Sequence, residues 1–250
     1  MMSRRVVTAE TLDHLSPTDP AAVRSRRDLV RVHRAMRTVR IVSQGWQMMV
    51  SPERASAPLR ILEIGAGDGT LLLGVARSLA PRWPQVQLTL LDRVDIVTPA
   101  TLAAYAELGW TARVQNADVL DWAARPEENV SVMQSSRPLS RWDMVSTSLF
   151  LHHFEGIQLD LLLSGIASQS DRFFACEPKR SWLALAGSYL VGAIGANAVT
   201  REDAVLSVRA GFRDHEITAR WPRVGNVWKV QEFAAGLFSH CFSARRMGTD

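Results

Sequence analysis

Three glycines at alternate positions follow a short apolar run in the first third of the chain. The segment Arg60–Thr70 reads Arg-Ile-Leu-Glu-Ile-Gly-Ala-Gly-Asp-Gly-Thr, which places Gly65, Gly67 and Gly69 between a predicted strand and a predicted helix. Glycines in such a turn permit positive φ angles and let a ligand approach the bare backbone closely. The spacing is not the dinucleotide fingerprint, because Gly69 comes one position early, and no Gly-Lys-Ser/Thr sequence of a phosphate-binding loop follows. We therefore expect a ligand-binding turn of another kind.

Acidic residues follow the next two apolar runs. Asp92 comes directly after Val86–Leu91, and Asp118 comes shortly after Arg113–Gln115. A carboxylate at the end of the second strand can accept two hydrogen bonds from the vicinal hydroxyls of a ribose. Either residue can instead serve as a turn residue at a strand end.

Two adjacent histidines, His152 and His153, follow the apolar run Met144–Phe150. The pKa of a free histidine lies near neutral pH, so this residue type suits a general base. The alternative is that one or both histidines cap a helix that begins near Glu155.

The residues that could do chemistry must be positioned by alternating strands and helices. Five strand-length apolar runs are separated by helix-like stretches near 69–80, 98–108 and 155–169, and two more runs close the chain. The alternation predicts parallel βαβ units, and the last two runs predict an antiparallel hairpin. The fold class is therefore α/β, a Rossmann-like seven-stranded, mostly parallel sheet with an antiparallel edge hairpin. The predicted strands are Arg60–Ile64, Val86–Leu91, Arg113–Gln115, Met144–Phe150, Arg172–Cys176, Val227–Val230 and His240–Ala244.

Two further parts of the chain are predicted, one before the alternating pattern and one inserted within it. Residues 1–56 are predicted to form a helical N-terminal cap, and residues 57–250 the main domain, with an insertion at about 178–210 after the fifth strand. Within the insertion, Trp182–Val199 has no charged residue. This stretch contains polar residues and is shorter than the ~20 apolar residues that a membrane span needs. We expect a buried or pocket-covering helix, with an interfacial helix as the alternative.

Composition and charge exclude several classes of protein. Hydrophobic residues make up 47% of the chain and charged residues 22%, which argues against a disordered, collagen-like or coiled-coil protein. Only two cysteines are present, so a cysteine-rich zinc site is excluded and a reducing compartment is favoured. The polar N-terminus does not look like a secretory leader, and we expect a cytoplasmic protein without a transmembrane span.

The stretch from residue 60 to about 177 resembles the class I S-adenosylmethionine-dependent methyltransferases, whose first motif has an acidic residue two positions before Gly-x-Gly-x-Gly. The resemblance implies S-adenosyl-L-methionine as the cofactor and S-adenosyl-L-homocysteine as the product. It also implies that Gly65 and Gly67 pack against the methionine part, Glu63 organises its amino group, Asp92 binds the ribose and Asp118 binds the adenine. The full set of implied cofactor residues is Glu63, Gly65, Ala66, Gly67, Gly69, Asp92, Arg93, Asp118, Val119 and Ser146.

The Leu-His-His sequence and the region after the fifth strand resemble a bacterial subgroup that methylates hydroxyl groups of phenolic or polyketide-type natural products. The resemblance implies a small aromatic or polyketide-type acceptor, with His152 as the first choice of general base and His153 as the second. The insertion and the N-terminal helices are expected to cover the acceptor. Four residues of the insertion are predicted to line its pocket: Trp182, Tyr189, Arg201 and Arg209.

Missing motifs narrow the reaction, and alternatives remain. The fourth strand lacks the Asn/Asp-Pro-Pro-Tyr sequence of base-modifying enzymes. Ser146, Thr147 and Ser148 stand where catechol-type enzymes carry magnesium ligands, so we expect no metal. One alternative is carbon or nitrogen methylation of a quinone, alkaloid or amine. Another is a nucleic-acid-modifying or RNA-binding protein, because the first 60 residues contain 11 arginines and 5 acidic residues. We expect no nucleic-acid partner; the oligomeric state is open, with a homodimer as one alternative.

Overall fold

The computed structural model describes residues 4–50, 58–83, 85–125, 141–223 and 227–248. Within these ranges the chain forms seven strands, all in one sheet. The predicted boundary between residues 56 and 57 lies within the range 51–57, which is outside the described residues. The strands are β1 (Leu59–Ile64), β2 (Val86–Asp92), β3 (Trp110–Asn116), β4 (Met144–Ser148), β5 (Arg172–Pro178), β6 (Trp228–Ala235) and β7 (Ser239–Arg246).

Helices precede the sheet, connect its parallel strands and form the insertion after β5. Two short 3₁₀ turns add to them, Leu151–His153 after β4 and Val191–Ile194 within the insertion. No helix among the described residues has the length and apolar character that crossing a membrane requires. The α-helices are α1 (Thr11–His14), α2 (Pro20–Met36), α3 (Thr38–Met49), α4 (Thr70–Leu79), α5 (Pro99–Glu107), α6 (Val119–Ala124), α7 (Gly156–Gln169), α8 (Trp182–Tyr189) and α9 (Ala198–Ala210).

The sheet has the strand order β3-β2-β1-β4-β5-β7-β6. Strands β1 to β5 run parallel, and β7 lies antiparallel between β5 and β6. This arrangement confirms the predicted Rossmann-like, seven-stranded sheet with an edge hairpin. Successive strands are added on one side of β1 as far as β3 and on its other side from β4 onward. The turns after the neighbouring strands β1 and β4 therefore lie side by side at the carboxyl edge, where open α/β sheets bind ligands.

Strand β4 is shorter than the sequence predicts. The predicted strand reached Phe150, whereas β4 ends at Ser148 because Leu149 adopts a φ of 57°. A branched, bulky residue is strained in this left-handed region, and such strain concentrates at functional sites. The bend turns the chain into the 3₁₀ turn that carries both histidines.

The N-terminal helices pack on the sheet. Helix α3 buries Val42 and Trp46 completely in the same hydrophobic cluster as β1 and α4. The indole of Trp46 stacks between those of Trp83 and Trp110, at centroid distances of 6.2 and 6.4 Å. Large stacked aromatic side chains contribute strongly to core stability, so α3 is fixed to the sheet face and holds the end of α2 beside it.

Candidate functional site

A cavity of about 750 Å³ lies at the carboxyl ends of the parallel strands. Its floor consists of the turns after β1, β2, β3 and β4, at residues 65–68, 70–71, 91–94, 117–120, 148–150 and 152–154. Glu10 and residues of α1, α2, α8, α9 and the second 3₁₀ turn form most of the remaining walls. The N-terminal helices and the insertion therefore cover the carboxyl edge of the sheet, as expected for a pocket built on it.

The glycine turn adopts the conformation that its sequence predicts. Gly65, Gly67 and Gly69 have φ angles of 73°, 56° and 75°. A Cβ on Gly67 would meet no atom within 4 Å, so its backbone borders open space, whereas a Cβ on Gly65 would lie 2.2 Å from the Phe150 ring. Gly65 and Gly67 line the cavity and Gly69 does not. The carbonyl of Gly69 instead accepts a hydrogen bond from Tyr105 at 2.7 Å.

Asp92 connects the end of β2 to the glycine turn. Its Oδ2 accepts the Gly67 amide at 2.8 Å and its Oδ1 accepts the Val94 amide at 2.9 Å. Each carboxylate oxygen has a further lone pair, so both can still accept a hydrogen bond from a ligand hydroxyl. Asp118 caps α6 through the Leu120 amide at 2.7 Å and also lines the cavity. Both acidic residues therefore lie where the sequence predicts them and also serve as turn residues.

The other predicted cofactor residues fall into two groups. Ala66, Arg93 and Val119 line the cavity, whereas Glu63 and Ser146 do not. These last two lie on the neighbouring strands β1 and β4, in register with each other and almost completely buried.

Glu63 is a buried carboxyl group directly behind the glycine turn. Burial raises its pKa to about 8, although hydrogen bonds from Ser146 and Ser148 partly oppose the shift. Its Oε2 has no hydrogen-bond partner among the described residues. The Ser146 hydroxyl accepts a hydrogen bond from the Trp46 indole at 3.2 Å, which shows that Ser146 faces α3. Ser146 therefore lies away from the cavity, and its role toward a cofactor stays a prediction.

His152 is held by a carboxylate from the adjacent strand. Glu177, at the end of β5, lies 2.9 Å from His152 Nδ1 through its Oε2. Its Oε1 accepts the amides of Phe150 and Leu151 at 3.1 and 3.0 Å, so it also fixes the 3₁₀ turn. Because an ionised carboxylate only accepts hydrogen bonds, Nδ1 of His152 carries the proton. The Nδ1 of His153 lies 3.0 Å from the Phe150 carbonyl and donates for the same reason.

The Nε2 atoms of both histidines face the N-terminal segment. His152 Nε2 lies 3.3 Å from Glu10 Oε1, and His153 Nε2 lies 3.5 Å from Glu10 Oε2 and 3.7 Å from Asp13 Oδ2. Burial lowers the pKa of His152, but the hydrogen bonds to Glu10 and Glu177 outweigh it and raise the pKa to about 9. The same contacts hold the pKa of Glu10 well below its usual value despite burial. Glu10, His152 and His153 each place a potential ligand atom within 4.8 Å of the others.

The segment that carries Glu10 is anchored at two points. Asp203 on α9 accepts the Thr11 and Leu12 amides at 2.8 and 3.0 Å. Arg5 donates to the carbonyls of Ala210 at 2.6 Å and Phe154 at 2.8 Å. These contacts place the segment across the histidine turn, where it closes one side of the cavity.

The four substrate residues predicted in the insertion lie outside the cavity, and this part of the prediction is wrong. Trp182 and Tyr189 are 74% and 60% exposed. Helix α8 presents residues 184, 187 and 188 to the cavity, so positions 182 and 189 fall on its outer side. Arg201 and Arg209 are likewise exposed, whereas positions 200, 203, 204, 207 and 208 of α9 face the cavity.

Sequence reasoning missed three polar residues of the site. Glu177 lies at the end of a parallel strand next to β4, so the rule for strand ends could have identified it. Glu10 reaches the site through packing of a distant segment, and no local signal marks it. His33 on α2 also lines the cavity, and burial lowers its pKa to about 4.

Comparison with known proteins identifies the fold. No family model and no curated protein matches the chain. It is similar to the structure of an O-methyltransferase family protein from Burkholderia thailandensis, with a TM-score of 0.58 and 15% identity over 93% of this chain and 62% of that one. It is also similar to the plantazolicin methyltransferase BamL, in complex with a triazolic desmethylPZN analog and SAH (TM-score 0.56, 13% identity, 94% of this chain and 93% of that one). A third similar structure is the plantazolicin methyltransferase BpumL in complex with SAH (TM-score 0.53, 14% identity, 92% and 91%).

These comparisons agree with the strand order described above. The chain has the class I methyltransferase fold, which confirms the expectation from the glycine motif. It spans about three fifths of the Burkholderia protein and nearly the whole of both plantazolicin enzymes.

Proposed function

We propose that this protein is an S-adenosyl-L-methionine-dependent methyltransferase that acts on a hydroxyl group of a small aromatic or polyketide-type molecule. One observation carries the proposal. The glycine turn and Asp92 form one side of a cavity whose other side holds His152 and His153. A cofactor site and a proton-accepting group thus border the same enclosed volume.

The residues at the glycine turn fit the cofactor. The open backbone at Gly67 would take the methionine part of the molecule, and both Asp92 oxygens retain lone pairs for the two ribose hydroxyls. Asp118 would accept from the adenine amino group, with Val119 beside the ring. Glu63 would act from behind the turn on the amino group. Bound there, S-adenosylmethionine supplies an electrophilic methyl group on a sulfonium centre.

The chain itself aligns the acceptor and excludes water. Methyl transfer is an in-line displacement, and correct alignment of the two reactants is worth up to ~7–11 kcal/mol. The walls formed by α2, α8 and α9 shield the cavity from solvent. His152 is our first choice of base and His153 the second. A base must be able to accept a proton, so His152 can act only when Glu10 is displaced or its charge is otherwise balanced.

The walls of the cavity favour a largely apolar acceptor. Beyond the histidines they consist mainly of aliphatic side chains of α2 and the insertion. Their apolar character supports an aromatic or polyketide-type skeleton. The name of the Burkholderia protein, an O-methyltransferase family protein, supports methylation of oxygen. The aliphatic residues are Leu29, Val32, Met36, Leu190, Val191 and Ile194.

A second candidate is nitrogen methylation of an amine. Glu10, Asp13 and Asp203 all line the cavity, and a cationic amine would be attracted to this acidic wall. Product analysis with methyl-labelled cofactor decides between the two candidates, because the label appears on oxygen in one case and on nitrogen in the other.

Calorimetry with S-adenosylhomocysteine tests the cofactor site. We expect micromolar binding to the wild-type protein and binding weaker by about 10²–10⁴-fold for Asp92→Ala, since two hydrogen bonds to a charged acceptor are worth about 1.5–3 kcal/mol each. Asp95→Ala is the matched control, because Asp95 is exposed and lies three residues away outside the cavity. No heat with wild-type protein at high micromolar ligand would refute the proposal.

Turnover of the histidine variants tests the base. We expect His152→Ala to lower kcat by about 10²–10⁴-fold, the usual contribution of general base catalysis. Binding of S-adenosylhomocysteine should stay unchanged, because neither histidine belongs to the cofactor residues. If His152→Ala and His153→Ala together leave kcat intact, the acceptor is nucleophilic without assistance and the histidines have another role.

Three further points belong to the proposal. We treat residues 1–56 as a cap on a methyltransferase domain, although α3 packs directly on the sheet. A cytoplasmic location is supported by Cys176 and Cys241, which are both buried and unpaired. A nucleic-acid partner is not expected, and steeply salt-dependent binding of RNA or DNA would contradict this.

A further inference from the structure

Three side chains at the histidine turn, Glu10, His152 and His153, form a cluster of potential metal ligands, and Asp13 lies beside it, 3.7 Å from His153 Nε2. Glu10 and Asp13 come from the N-terminal segment, and His152 and His153 come from the 3₁₀ turn after β4. The two parts are more than 130 residues apart in sequence, yet their polar atoms converge at the wall of the cavity. The sequence analysis expected no metal because it considered only the end of β4.

The distances on the two sides of each imidazole differ. At Nδ1, the separations of 2.9 Å to Glu177 and 3.0 Å to the Phe150 carbonyl are those of ordinary hydrogen bonds. At Nε2, the separations to Glu10 are 3.3 and 3.5 Å. A tetrahedral zinc ion with bonds of about 2.0–2.1 Å keeps its ligand atoms about 3.3–3.4 Å apart. The separations between each Nε2 and Glu10 are therefore compatible with a shared metal ion, and the three potential ligand atoms all lie within 4.8 Å of one another.

The orientation of both rings suits a metal ligand. Nδ1 lies against Glu177 in His152 and against the Phe150 carbonyl in His153, so Nε2 is in each ring the atom that faces Glu10. Metal-binding histidines typically donate the other ring N–H to a carboxylate or a backbone carbonyl. Both kinds of partner are present here.

We propose that Glu10, His152 and His153 form a binding site for one divalent transition-metal ion of the zinc class, with Asp13 as a further ligand. Two imidazoles and a carboxylate suit Zn²⁺, Co²⁺ or Fe²⁺ better than Mg²⁺ or Ca²⁺, which prefer oxygen ligands. All four residues line the cavity, so a coordination position faces the acceptor. An ion there would occupy the Nε2 atoms of both histidines, and it would lower the pKa of an acceptor hydroxyl as a Lewis acid in place of a histidine base. Only this catalytic role rests on the proposed function. The binding of the ion itself does not depend on it.

A metal site would also explain why the N-terminal segment that carries Glu10 is anchored against α9. Asp203 accepts the amides of Thr11 and Leu12, which lie between Glu10 and Asp13, so the ligands are on an anchored stretch of chain. Placing a carboxylate next to two histidines in this way costs conformational entropy. A bound cation would offset that cost.

Metal binding by the full-length, tag-free protein tests the proposal. After treatment with a chelator, the protein is titrated with Zn²⁺ in competition with a chromophoric chelator and, separately, with Co²⁺ while its visible absorption is recorded. We expect one ion per chain, and a Co²⁺ spectrum of the intense type given by four- or five-coordinate sites with nitrogen ligands. Glu10→Gln and His153→Ala should each weaken Zn²⁺ binding by at least about 10²-fold.

Matched controls keep the test decisive. His14→Ala removes an exposed histidine from the same segment and should leave binding unchanged. Thermal melting of each variant verifies that it is folded, and Glu10→Gln preserves the shape of the side chain if His153→Ala does not fold. Binding that is weak in the wild type, or that persists in Glu10→Gln and His153→Ala, would overturn the proposal.

The outcome is separable from that of the proposed function. If Zn²⁺ binds but S-adenosylhomocysteine does not, the metal site stands and the methyltransferase proposal fails. If S-adenosylhomocysteine binds and Zn²⁺ does not, only the metal site fails. In that case His152 Nε2 carries a proton that it donates to Glu10, and the ¹⁵N chemical shifts of the His152 ring should show an imidazolium.

Discussion

Glu63 provides the sharpest quantitative test of the site. Its carboxyl group is buried behind the glycine turn, and burial raises its pKa from 4.5 to about 8. Between these two values the folded protein holds a proton that the unfolded chain has released. The free energy of unfolding must then fall as pH rises, by about 1.4 kcal/mol per pH unit. Over the range pH 5.5 to 7.5, the loss attributable to Glu63 is about 3 kcal/mol.

Substitution Glu63→Gln removes this dependence. Glutamine has the shape of the protonated acid, and Ser146 and Ser148 can donate to its carbonyl oxygen. The variant should be more stable than the wild type by about 1.4 kcal/mol at pH 5.5 and by about 4 kcal/mol at pH 7.5, so its advantage grows by about 3 kcal/mol over this range. Urea unfolding followed by tryptophan fluorescence at several pH values measures the difference. The exposed Glu202→Gln is the control and should run parallel to wild type.

Parallel curves for Glu63→Gln and wild type would refute the reasoning, because they would mean that Glu63 titrates normally in the folded state. A ligand extends the test. If Glu63 organises the amino group of the cofactor, saturating S-adenosylhomocysteine should favour its ionised form and flatten the wild-type slope. An unchanged slope would leave Glu63 without that role.

Two further predictions concern the cap. Gly45→Ala should lower the free energy of unfolding by about 1–3 kcal/mol in a denaturant titration, because a Cβ there would lie 2.2 Å from the Phe174 ring and overpack the α3–sheet contact; wild-type stability would contradict it. Asp203→Ala should release the segment before α2, since the amides of Thr11 and Leu12 lose their acceptor. Their hydrogen exchange should then speed up by about 10²-fold relative to the Glu202→Ala control, and unchanged exchange would show that the segment is held by other contacts.

The sheet and the floor of the cavity could be predicted from the sequence. Alternating apolar runs, the glycine spacing and acidic residues at strand ends are local patterns, and the geometry of a parallel sheet brings the carboxyl ends of its strands to one edge. For that reason Gly65, Gly67, Asp92 and Asp118 were found by sequence reasoning alone. The positions of the two histidines follow from the same rule.

Which side chains reach the cavity was not predictable in this way. Ser146 and Ser148 lie two residues apart on β4 and point to the same face of the sheet, yet Ser146 accepts the Trp46 indole while Ser148, nearer the carboxyl end, borders the cavity. In the insertion, Trp182 and Tyr189 have the composition of a pocket wall but fall on the outer side of α8. The rotation of a helix about its axis depends on what it packs against, and residue types alone do not specify it.

The surroundings of the histidines were decided only by the tertiary structure. The sequence determined that two imidazoles stand at the end of β4, where a base is useful. It did not determine that Glu177 reaches one of them from the neighbouring strand, or that Glu10 approaches both from a segment more than 140 residues earlier. Burial and Coulomb interactions depend on distances in space, so the charge state of His152 and the candidate metal site arise only when the N-terminal segment is fixed against α9.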